Sequence, residues 1–98
     1  MAKVTCKISY PADFGQEVVL ISADIDDEDV VKSIPEQGVI QFENDDIFVA
    51  DGIVVFALVK APTALELSMD IFQDNDKINK KPVKPVAKDG KHIFSHSI

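Results

Sequence analysis

The chain's 98 residues, 46% hydrophobic and 28% charged, fit one globular domain spanning 1–98, and its lone cysteine, Cys6, excludes an internal disulfide framework. The net charge of -7 conceals a split: residues 1–76 carry 16 acids against 4 lysines, and residues 77–98 carry 6 lysines against 1 acid. Arginine is absent, which removes the bidentate fork used on phosphates and base edges and counts against sequence-specific nucleic-acid binding.

The stretch KVTCKISY (3–10) alternates strictly, with Val4, Cys6, Ile8 and Tyr10 on one face, and predicts a half-buried strand. Pro11 and Gly15 bracket a turn, and EVVLISADI (17–25) reads as a second strand rich in β-branched residues. VIQF (39–42) is a third, ended by Glu43-Asn44-Asp45. In IFVADGIVVFALV, two apolar runs flank Asp51-Gly52, the signature of a type I′ hairpin. That register sets Val49 opposite Val54 and Phe48 opposite Val55. The run 53–59 is apolar on both faces, so Val54, Phe56 and Leu58 are expected in the core. ALELSMDIF (64–72) alternates again, with Leu65, Leu67, Met69 and Ile71 inward. After the polar loop 73–81, a last hairpin pairs PVKPVAK with KHIFSHSI around Asp89-Gly90. Pro82 and Pro85 lack a donor for a sheet ladder, which sends their strand to an edge.

Roughly seven or eight short strands follow, and they predict an all-β fold, a small antiparallel β-sandwich of immunoglobulin-like or jelly-roll-like kind. The start MAKVTCKISYP has no signal-peptide apolar run, and no segment approaches the ~20 apolar residues of a membrane span. One unpaired thiol suits a reducing compartment. The expected setting is cytoplasmic, with no membrane contact and no cofactor.

The stretch ADIDDEDVVK (23–32) packs five acids into six positions. One reading is a short connecting helix over 27–34. Asp26 would cap it, the following acids would sit on its positive end, and Pro35 would stop it. A second is a calcium site, in which Asp24, Asp26 and Asp27 join Asp74 and Asp76, or Glu43, Asp45 and Asp46, from other loops. The D-x-D spacing is weak support, and the full EF-hand pattern is missing. A third is an acidic inhibitor, a nucleic-acid mimic that presents carboxylates in place of phosphates to a basic protein.

Catalysis fits poorly. The two histidines, His92 and His96, stand ~13 Å apart along one strand face. HExxH, CxxC and glycine-rich phosphate loops are all missing from the sequence. The sequence therefore points to a non-catalytic protein-interaction module, a structural or accessory subunit of a larger assembly. Its expected contact surface is the basic C-terminal hairpin with its last strand: Lys80, Lys81, Lys84, Lys88 and Lys91, beside His92, Phe94 and His96. The expected partner is a protein, and an acidic surface on a second copy would serve.

Overall fold

The computed structural model describes residues 2–11, 18–26, 28–29, 31–32, 38–47 and 52–97. Within them the chain is all-β and antiparallel, without a helix. The first sheet runs β4 (Val31–Lys32), β5 (Val39–Ile47), β1 (Ala2–Ser9), β7 (Ser68–Gln73), β8 (Asp76–Lys77). The second runs β3 (Glu28–Asp29), β2 (Val19–Ile25), β6 (Val54–Lys60), β10 (Lys91–Ser97), β9 (Val86–Lys88). The two pack face to face as a sandwich around one core.

Strand alternation builds that core. Val4, Cys6 and Ile8 of β1 and Met69 and Ile71 of β7 are fully buried, as their period of two predicts. From the second sheet they meet Val55, Ala57 and Val59 of β6 and Phe94 of β10. The strand bearing Val86 lies at an edge, as the prolines before it require. The expected hairpin around Asp89 (φ 52°) and Gly90 (φ 76°) is present as a type I′ turn and sets Lys88 opposite Lys91. Asn79 is buried and stitches the next crossing to β7. Its Oδ1 accepts the Ile71 N–H at 2.8 Å, and its Nδ2 donates to Asp70 Oδ1 and to the Lys81 carbonyl.

Three expectations are corrected. The helix over 27–34 is replaced by β3 and β4, which carry the chain from the second sheet to the first. Ile25 pairs with Glu28, so the chain reverses at Asp26, whose φ of 53° is a turn conformation and not that of a helix cap. Its backbone N–H donates to the Val54 carbonyl and its Oδ1 accepts the Val54 N–H at 2.8 Å. Secondly, β5 does not stop at Glu43 but continues to Ile47. Thirdly, β5 and β6 are not a hairpin, because they belong to different sheets. Val55 has Ile25 on one side and His96 on the other, which leaves no place for Phe48. Phe48, Val49 and Asp51 lie outside the described residues, and Gly52 keeps the positive φ (93°) expected of it.

Candidate interaction face

The outward surfaces of the two sheets differ in kind. On the first, charges neutralise one another: Lys3 Nζ lies 2.9 Å from Glu43 and Lys77 Nζ 3.4 Å from Asp70. The hydrogen bond and charge of Glu43, with Asp45 adding, hold the Lys3 ammonium above its ordinary pKa. Lys7 Nζ sits 5.0 Å from the centre of the Phe72 ring. This is a solvated mosaic.

The second sheet is apolar on its outside. The large hydrophobic side chains standing exposed among the described residues are Val19, Ile21, Val54, Phe56, Val86 and Ile93, and every one belongs to this sheet. Val86 is 72% exposed and Val54 52%. The expected burial of Val54, Phe56 and Leu58 is thus corrected: Val55, Ala57 and Val59 take the core, while the alternate set faces out. A bulge in β2 adds to this surface. Leu20 pairs with Val59 and Ser22 with Leu58, so Ile21 is the extra residue and stands 45% exposed.

Register sorts the face into rows. Lys60 stands opposite Lys91, and Lys91 opposite Lys88. Beside this basic row runs an apolar one, in which Leu58 is opposite Ile93 and Ile93 opposite Val86. The next row places Asp24 opposite Phe56 and Phe56 opposite Ser95. Like charges directly opposite across strands are destabilising. Among the described residues none of the three lysines has a carboxylate within ion-pair distance.

The sequence-predicted contact residues separate. Lys88 and Lys91 are on this face. Lys80, Lys81 and Lys84 are exposed on the crossing segment before β9. His92 and Phe94 are corrected: both are buried in the sandwich interior, and His96 is half-buried on the same side of β10. The outward positions are Lys91, Ile93, Ser95 and Ser97. Sequence reasoning missed Lys60, Phe56 and Ile93. The signal was present in the run 53–59, whose two apolar faces exceed what one core needs.

Two of the carboxylates proposed for metal, those of Asp74 and Asp26, hold turns. Asp74 (φ 51°) and Asn75 (φ 78°) form a type I′ turn between β7 and β8, and Asp74 Oδ1 accepts the Lys3 N–H at 3.0 Å. Asp26 closes its own turn, while Asp76 and Asp24 are strand residues whose backbones pair with Gln73 and Asp29. Asp27 lies outside the described residues. Among those described, no three carboxylate, thiol or imidazole side chains converge on a point that could hold an ion.

An open pocket of about 220 Å³ lies beside the β9 edge, with Leu65, Leu67, Pro85, Ala87 and His92 among its lining. His92 Nε2 is 2.9 Å from the Pro62 carbonyl, which makes it the donor nitrogen. Nδ1 is then an acceptor, buried and without a partner. Cys6 is fully buried, and burial pushes its thiol up to about 12, which removes it from nucleophilic chemistry. Among the described residues no helix is long and apolar enough to cross a membrane.

No protein-family model, curated protein or solved structure matches this chain. The chemistry of the face is therefore the ground for a functional reading.

Proposed function

We propose that the protein is a non-catalytic interaction module, a structural or accessory subunit, which docks a protein partner on the outer face of its second sheet. One observation carries this reading: among the described residues the exposed large hydrophobic side chains all gather on that sheet, beside a row of three lysines with no carboxylate at ion-pair distance. A contiguous apolar patch with a polar rim is the ordinary anatomy of a docking site. The lysines repel one another in the free protein, and an acidic rim on the partner relieves that repulsion. The buried free thiol suits the cytoplasm. The inhibitor reading draws less support, because Glu43 and Asp70 already pair with Lys3 and Lys77.

A photo-reactive phenylalanine analogue tests the reading when placed at Phe56 and, as a control, at Phe72 on the opposite sheet. The expectation is a discrete protein adduct in cells from position 56 alone, lost when Ile93→Asp is added. Equal adducts from both positions, or none from either, overturn it.

A further inference from the structure

Resting on that reading, we infer that the occupant of the face is a second copy of this chain, in a closed two-fold dimer with the two faces antiparallel. Apolar surface must meet apolar surface. On another copy the matching surface is the second sheet, because among the described residues the exposed large hydrophobes lie there and the first sheet carries paired charges. Such a pairing uses the same patch twice and is isologous. A head-to-tail contact between the basic hairpin and an acidic loop leaves Ile21, Val54 and Phe56 uncovered.

Charge then selects the orientation. On this face the lysine row lies at the end where β6 finishes, and Asp24 lies toward the end where β6 begins. A two-fold axis along the strands sets lysine row on lysine row. An axis across the strands sets the Lys60 end of each copy over the Asp24 end of the other and keeps the apolar rows in register. The rest of the molecule has the same polarity. Val4 pairs with Asn44 and Gln73, so the start of β1 gathers Asp45, Asp46, Asp74 and Asp76 beside the Lys3–Glu43 pair and Lys77, and acids remain in excess there. Glu66 and Leu67, at the other end of the first sheet, line one pocket with Ala87 and His92 beside the lysine row, so the acidic end of the first sheet lies with the Asp24 end of the second. The described acids at the lysine end are Glu66 and Asp89. Each copy is thus basic where its antiparallel partner is acidic.

The face is modest in size. Three strands of seven residues and one of three, ~4.8 Å apart with ~3.4 Å per residue, cover roughly 400 Å² per copy. Contacts of that size fall at the weak end of specific interfaces, so the dimer should dissociate in the micromolar range.

Sedimentation of the full chain should show a monomer–dimer equilibrium, with no larger species, that weakens as salt is raised. Lys60→Glu and Asp24→Lys are exposed or half-exposed changes that spare the core. Each alone should weaken self-association by about tenfold, because two attractive pairs become repulsive. Mixed together, the two variants should form a heterodimer about as tight as the parent, since both of its contacts regain opposite charges. Phe56→Asp should be monomeric, with its fold checked by circular dichroism. A parent that stays monomeric at every concentration and salt level overturns the second copy as occupant; an adduct to another protein from position 56 then leaves the docking face standing. A dimer untouched by Phe56→Asp, or a mixture that gains nothing over either variant alone, overturns the antiparallel arrangement.

Discussion

Gly90→Ala isolates the cost of a positive φ from that of a clash. Gly90 sits at φ 76° in the turn joining β9 to β10, where an L side chain is strained by roughly 1–2 kcal/mol. An added Cβ would meet only the Ala61 carbonyl oxygen, at 3.8 Å, which is ordinary contact. The hydrogen bonds at the turn survive the change: Gly90 N–H still donates to Thr63 Oγ1 at 2.6 Å, and its carbonyl still accepts the Ala61 N–H. Alanine also restricts the unfolded chain, which offsets roughly 0.4–1 kcal/mol. The net loss should be about 1 kcal/mol, or a fall in Tm of about 4–8 °C for a domain this size. Urea unfolding of Gly90→Ala measures it. D-alanine at the same position, introduced by chemical ligation, makes an equally small side chain but prefers positive φ, and should be at least as stable as the parent. An L-alanine variant that melts with the parent would refute the turn geometry. A D-alanine variant as weak as the L form would show that crowding, not φ, sets the cost.

Neighbouring residues on β10 should respond in opposite ways: Phe94→Ala, in the core, should lose about 3–5 kcal/mol in denaturant melts, while Ile93→Ala on the open face should stay within about 1 kcal/mol of the parent. Asn79→Ala strands the buried Ile71 N–H and should lose about 1–3 kcal/mol, read in the same melts. Tyr10 has a buried hydroxyl without a partner among the described residues, so Tyr10→Phe should match or exceed the parent's stability. Cys6 should resist thiol reagents until the protein unfolds. Its folded pKa is raised from 9.0 to about 12, so the neutral thiol favours folding fully below about pH 9. As pH climbs toward about 12 the folding equilibrium should lose at most about tenfold per unit from this group, a slope that Cys6→Ala removes in pH-dependent urea melts.

Alternation and turn chemistry are local, and the sequence alone therefore determined what rests on them. Val4, Cys6 and Ile8 are inward because a strand's side chains alternate, and Asp89-Gly90 turns because both positions favour φ > 0. Pro82 and Pro85 fix the edge strand for the same kind of reason. The contrasting case is Asp51-Gly52. Gly52 does take positive φ, but the dipeptide carries no information about which strands flank it in space. β5 and β6 lie in different sheets, and β2 and β10 occupy both sides of β6. The acids at 24–29 read as a helix because a cap needs only proximity in sequence, and as a metal site only if other loops converge on them; the pairing of Ile25 with Glu28 and the bonds between Asp26 and Val54 decided against the helix. Tertiary structure alone also decided the face. A run that is apolar on both sides says only that both sides favour leaving water. Which side meets the core depends on a second sheet assembled from residues far away in the chain, and the side left over, with Phe56 and Leu58 beside Ile93, is the surface offered to a partner.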